Sequence, residues 1–250
     1  MGLLDNKTAI VTGSSRGIGA DVAKILASEG AAVVVNYRQK APRANKVVQG
    51  IEAPGGRAVA VGADLTTQEG VQALASAAME NFGSLDILFL NASGGMETGM
   101  GEDYALKLNR DAQVNMLNAA VPLMPEGSRV VFVTSHQAHF VETVPTMPEY
   151  EPVAKSKRAG EDALRELVPS LADKGISLVV VSGDMIEGTV TATLLDRSNP
   201  GAIEARRAEA GKLYSVEEFA AEVAKMVTAD VESGHTEYVG GADYFSKSAE

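Results

Sequence analysis

Short runs of apolar residues alternate along this chain with longer segments in which apolar positions recur at helical spacing. The runs are Ala9–Thr12, Ala32–Asn36, Ala58–Gly62, Asp86–Leu90, Arg129–Thr134 and Ser177–Ser182, with a weaker last one around Glu237–Val239. Helical periodicity covers Gly17–Glu29, Arg43–Ala53, Gln68–Phe82, Asp103–Leu123, Pro152–Lys174 and Val216–Ala229. Continuously apolar strands are buried on both faces, and strands that alternate with helices of this length join through right-handed crossovers. The pattern therefore predicts an α/β fold, a doubly wound Rossmann-type parallel sheet of about seven strands with helices on both faces. Such sheets bind ligands at the carboxyl ends of their strands, so the strand exits are the positions to inspect.

The first exit is Thr12-Gly13-Ser14-Ser15-Arg16-Gly17-Ile18-Gly19. A strand ending at Thr12 and a helix starting at Gly17 leave backbone N–H groups converging where the positive end of the helix favours an anion. Gly13 suits the sharp turn, Gly17 the close approach of a pyrophosphate and Gly19 the packing of helix on strand, so the segment reads as a phosphate cradle with Ser15, Arg16 and Ile18 beside it.

Later exits point to the same ligand. A site for a dinucleotide with a free ribose would place Asp or Glu after the second strand, where Asn36-Tyr37-Arg38-Gln39-Lys40 stands instead. Arg38 and Arg16 supply positive charge suited to a 2′-phosphate, which a guanidinium can hold bidentately. Asp64, followed by Leu65, can accept a hydrogen bond from an adenine amine, leaving Thr66 or Thr67 to cap the next helix. The fourth run ends in Asn91-Ala92-Ser93-Gly94-Gly95, a second glycine-rich exit beside the first.

Composition narrows the class. With 250 residues, 45% of them hydrophobic, the chain can bury a sizeable core, and no linker, repeat or low-complexity tract divides it. We expect one dinucleotide-binding domain over residues 1–250. A net charge of −11 argues against nucleic acid as a partner, and no apolar run is long enough to cross a membrane. The chain has no cysteine, hence no disulfide, thiol nucleophile or thiolate metal site, which agrees with a reducing compartment; together with an N-terminus unlike a signal peptide, this gives a cytoplasmic expectation.

These motifs resemble the short-chain dehydrogenase/reductase family over nearly the whole chain. The cofactor turn is met by Thr12–Gly19, the adenine-site Asp by Asp64, and the strand end Asn-Ala-Gly by Asn91-Ala92-Ser93, altered at one residue. The resemblance implies Asn109 as the helix Asn that supports a proton-relay water, Ser135 as the hydroxyl holding the substrate oxygen and Lys157 as the lysine that binds cofactor and stabilises a phenolate. It implies cofactor contacts from Gly183 and Thr189 in Gly183-Asp184-Met185-Ile186-Glu187-Gly188-Thr189, a lengthened version of the family's segment after the sixth strand. It also implies a homodimer or homotetramer formed through the helices at Asp103–Leu123 and Pro152–Lys174.

The chain departs from the family at Tyr-x-x-x-Lys, which needs phenol and ammonium one helical turn apart. Four residues before Lys157 stands Val153, which cannot transfer a proton. Tyr150 lies seven residues before Lys157, in the loop ahead of a helix that Pro152 helps to start. Tyr150 folding back over Ser135 is the favoured proton donor, with His136 or His139 as the alternative; a metal site at that histidine pair with Glu142 is disfavoured. Asp184 and Glu187 are expected to be solvated, and residues 184–213, with Met185, Leu194 and Leu195, to form a mobile substrate lid.

The resulting expectation is an NADP(H)-dependent oxidoreductase that reduces a small-molecule ketone or oxidises the alcohol, with NADP(H) favoured over NAD(H). Two alternatives stay open: an NADP(H)-binding sensor or scaffold in which Val153 marks lost chemistry, and a non-redox lyase or isomerase in the same pocket.

Overall fold

A computed structural model describes residues 2–97, 99, 101 and 103–248. Seven strands form one parallel sheet in the order β3-β2-β1-β4-β5-β6-β7. They are β1 Thr8–Val11, β2 Ala32–Tyr37, β3 Arg57–Gly62, β4 Ile87–Leu90, β5 Arg129–Ser135, β6 Ser177–Gly183 and β7 Thr236–Val239. The order reverses between β1 and β4, which are paired as Ala9 with Ile87, Ile10 with Leu88 and Val11 with Phe89. The chain exits of β1 and β4 thus open side by side at the point where a parallel sheet leaves a crevice.

Alternate residues of each strand feed two cores. Val33, Val35, Phe89, Val131, Val179 and Val181 pack on one face with Val22 and Leu26 of α1 (Gly17–Ser28), Val47 of α2 (Ala41–Glu52) and Phe219 of α11 (Val216–Lys225). Ile10, Val34, Leu88, Leu90, Val130, Phe132, Leu178 and Val180 pack on the other with Leu74 of α3 (Gln68–Phe82), Met116 and Leu117 of α5 (Ala112–Ala120) and Leu164 of α7 (Glu151–Glu166). Burial on both faces is why these strands lack the polar alternation of a half-exposed sheet.

Two helices differ from their expected form. The span 103–123 is divided into α4 (Tyr104–Leu106), a π turn at Lys107–Asp111, α5 and a 3₁₀ turn at Val121–Leu123. The span 152–174 breaks at Leu167 into α7 and α8 (Val168–Ala172), because Pro169 has no N–H to continue the helical ladder. Short helices α6 (His136–His139) and α12 (Asp243–Lys247) follow β5 and β7, and α9 (Val190–Ser198) and α10 (Ala202–Ala210) fill the connection from β6 to α11. No described helix is long and apolar enough to cross a membrane.

Candidate active site

Buried polar side chains stitch the strand exits into one rigid floor. The Thr12 hydroxyl donates to the Phe89 carbonyl at 3.0 Å and accepts the N–H groups of Asn91 and Ala92, each at 2.9 Å. Asn91 returns its own amide to the Thr12 carbonyl at 3.0 Å. Ser14 donates to the Val11 carbonyl and accepts the Asn36 N–H, while Asn36 Oδ1 accepts the Gly13 N–H at 3.0 Å and its Nδ2 donates to the Ala63 carbonyl at 3.2 Å. Asn36 borders the crevice, but its amide is engaged by backbone rather than free for a ligand as expected, because three strand ends meet there and their orphan groups need partners. Small hydroxyl residues at a strand exit are the sequence signal that marks Thr12 and Ser14.

Above this floor lie the three glycines of the strand exit. Gly13 has φ +62°, and a Cβ there would lie 3.0 Å from Ala92 Cα. A Cβ on Gly19 would fall 2.6 Å from Asn91 Nδ2 and 2.9 Å from the Gly13 carbonyl oxygen. Gly17, at φ +58°, borders open space. Arg16 precedes α1 in an extended conformation without capping it by side chain, so the first N–H groups of that helix keep their anion-binding capacity. The open, glycine-lined approach and uncapped helix fit a pyrophosphate.

A crevice of about 640 Å³ extends from this cradle. On the β2 and β3 side it is bordered by Arg16, Arg38, Lys40, Arg43, Asp64 and Leu65, and none of those four cations forms a salt bridge among the described residues. Asp64 Oδ1 accepts from the Thr66 N–H and hydroxyl at 2.9 and 2.7 Å, and Thr67 caps α3. Asp64 is thus half engaged in a local turn, a share of the work that the sequence assigned wholly to the threonines. On the β4 to β6 side the lining passes from Ser15, Ile18, Asn91, Ala92 and Ser93 to Ser135, Tyr150, Lys157 and Thr189.

Tyr150 and Ser135 meet here. The two hydroxyl oxygens are 3.4 Å apart, and Ser135 Oγ also accepts the Ala138 N–H at 3.3 Å. Tyr150 stands immediately before α7 and is buried with Val153, Ala138, Met185 and Leu195 in a small apolar cluster. Val153 thus lies in the same apolar cluster as the tyrosine that precedes it.

A family model described as short chain dehydrogenase matches residues 7–199. The chain belongs to the short-chain dehydrogenase family. It is 38% identical over 201 residues to an uncharacterised oxidoreductase of Methylorubrum extorquens, covering 77% of this chain and 79% of the relative. It is 32% identical to versicolorin reductase 1 of Dothistroma septosporum over 79% of this chain and 76% of that one. A Burkholderia cenocepacia short chain dehydrogenase solved in complex with NADP superposes with a TM-score of 0.80 at 31% identity, over 94% of this chain and 97% of that one. This short-chain dehydrogenase is accordingly an NAD(P)-dependent oxidoreductase.

Several residues that the sequence assigned to the site lie elsewhere in this dehydrogenase. Asn109 does not border the crevice: its Oδ1 accepts the Gly94 N–H at 3.1 Å, and its Nδ2 donates to the Gly94 carbonyl and to Ser156 Oγ, so its side chain clips the loop after β4 onto α7. Gly183 also lies behind the wall, where a Cβ would meet the Phe219 ring at 2.5 Å. Thr189 borders the crevice, but its hydroxyl caps α9 by accepting the Ala192 N–H and donates to the Ile186 carbonyl.

The histidines are likewise committed. His136 is fully buried, with Nδ1 2.7 Å from Ser182 Oγ and Nε2 2.9 Å from the Gly240 carbonyl oxygen; burial holds it below the ordinary imidazole range and hence neutral. His139 lies between Glu161, at 2.8 Å, and the Tyr238 hydroxyl, at 3.0 Å. Neither borders the crevice, so neither is placed to donate a proton to a substrate there. The expectation of solvated acids after β6 is corrected too. Asp184 is buried and held by Arg206 of α10 at 2.8 to 3.1 Å, and Glu187 pairs with Arg207. A long-range arginine partner leaves no local signal in sequence.

Proposed function

We propose that this dehydrogenase reduces a ketone with NADPH, or oxidises the corresponding alcohol with NADP, and that Tyr150 is its proton donor. The carrying observation is the 3.4 Å approach of the Tyr150 and Ser135 hydroxyls inside the crevice that Lys157 also borders. Bound reduced nicotinamide supplies hydride to the carbonyl carbon. Ser135 holds the carbonyl oxygen by donating its hydrogen, and Tyr150 donates to the same oxygen and gives up its proton as negative charge builds there. The Lys157 ammonium, two helical turns along α7, stabilises the phenolate that remains. Met185 and Leu195 keep water from the reacting atoms.

Preference for the phosphorylated cofactor is supported by Arg16, Arg38, Lys40 and Arg43, cations left without carboxylate partners among the described residues of an acidic chain. The NADP complex of the Burkholderia relative agrees. The reading extends to a single catalytic domain with a lid over residues 184–213 and to assembly as a homodimer or homotetramer, which light scattering would check. Turnover of a ketone panel by Tyr150→Phe tests the central assignment. Unchanged kcat with intact NADPH binding would overturn it.

A further inference from the structure

The rim of the crevice opposite the proposed reaction centre holds a contact that the cradle motifs do not account for. Arg38, at the exit of β2, donates from Nη1 to the hydroxyl of Tyr104 in α4, and its guanidinium carbon lies 5.4 Å from the centre of the Tyr104 ring. These residues belong to opposite walls: α4 follows β4, on the far side of β1 from β2. Tyr104 is 9% exposed and borders the crevice, whereas Arg38 is exposed.

Two carboxylates, Asp64 and Glu97, border the same crevice as Tyr104, and both are already held. Asp64 accepts from Thr66, and Glu97 Oε2 accepts the Gly95 N–H at 2.6 Å. Arg38 makes no salt bridge with either among the described residues, so its fixed partner is a neutral oxygen and its charge is not cancelled. Three other arginines are paired with acids by contrast: Arg158 with Asp162, Arg165 with Glu161 and Arg206 with Asp184 and Asp243. An arginine held by a phenol has its long side chain ordered in advance while keeping its charge, and its remaining N–H groups stay free for a second, anionic partner. Accepting from a cation also strengthens the phenol as a donor through its own O–H.

We infer that Tyr104 is a positioning residue for cofactor choice: it presets the Arg38 guanidinium to receive a ribose 2′-phosphate. This rests on the reading of Arg38 as a phosphate ligand, and the variants separate the two ideas. Dissociation constants for NADPH and NADH are measured by fluorescence titration on wild type, Tyr104→Phe, Arg38→Lys and Arg38→Ala, with no substrate needed. Tyr104→Phe keeps the ring and its packing but removes the acceptor. It should weaken NADPH about 3- to 10-fold, as expected for loss of one charge-assisted hydrogen bond, and leave NADH within about twofold. Arg38→Lys, at an exposed position, keeps the charge without the planar fork and should fall between wild type and Arg38→Ala. If Arg38→Ala lowers the NADPH preference but Tyr104→Phe leaves it unchanged, or tightens NADPH, the role of Tyr104 is overturned and that of Arg38 stands. If Arg38→Ala leaves the preference unchanged, both fall. Equal weakening of NADPH and NADH by Tyr104→Phe would mark a merely structural role and also overturn the inference.

Discussion

The phenol oxygen of Tyr150 lies 3.4 Å from the hydroxyl oxygen of Ser135, although the chain places valine where a tyrosine one turn before Lys157 would stand. The loop after α6 brings the phenol in from the end of α7 rather than from its face. Val153 shares its apolar cluster and packs against Gly95, where a Cβ would lie 3.0 Å from the valine methyl. Crowding at that point leaves little room for a second phenol.

Removing either hydroxyl should therefore cost turnover rather than cofactor affinity. Tyr150→Phe is expected to lower kcat by about 100-fold or more, the usual contribution of a positioned acid, with NADPH binding unchanged. Steady-state rates on a ketone that wild type reduces, paired with NADPH titration, separate the two effects. Val153→Tyr should not restore activity to Tyr150→Phe, since the added ring would overpack the cluster.

The cradle makes a steric prediction. Gly19→Ala puts a methyl 2.6 Å from Asn91 Nδ2 and 2.9 Å from the Gly13 carbonyl oxygen, so the floor must shift. We expect loss of NADPH binding and a stability decrease of about 1–3 kcal/mol, the usual range for overpacking. Calorimetry with and without NADPH would show a lower Tm and no shift on adding cofactor. A variant that still gains Tm with NADPH would contradict this account.

Arg206 joins α10 to the end of β6 and to α12 by bonds to Asp184 and Asp243. Arg206→Met leaves the Asp184 carboxylate buried without its partner, a change that typically costs about 3–5 kcal/mol. Urea denaturation should register it. Because Asp184 Oδ1 also accepts the N–H of Met185 at 2.7 Å, substrate KM should rise while NADPH affinity changes little. This clasp ties α10, in the second half of the proposed lid, to the sheet.

Acid should weaken the fold through His136. Burial lowers its folded pKa, against opposing contributions from the Gly240 carbonyl and Asp184 and added ones from His139 and Arg206. The unfolded chain binds a proton more readily, so this stabilisation is complete above the ordinary histidine value and is lost as pH falls below it. Thermal unfolding between about pH 7.5 and 5.5 should show Tm falling on acidification. His136→Asn should flatten that slope, and an unaltered slope would assign the effect elsewhere.

Sequence alone determined the sheet, the crossovers and the glycine-rich strand exits, because each is encoded locally: apolar runs for strands buried on both faces, and glycines where the backbone must turn or pack closely. Charge at the strand exits picked out Arg16 and Arg38, the family resemblance picked out Ser135 and Lys157, and all four border one crevice. Tertiary structure decided which of the named polar groups are free. Asn36, Asn109 and Thr189 have their side chains engaged by backbone, and His136, His139 and Asp184 by partners 22 or more residues away. It also decided that Tyr150 reaches Ser135 and that Tyr104 holds Arg38. Such pairings join elements distant in the chain, and burial obliges each polar group to find a partner wherever folding brings one, which no local pattern records.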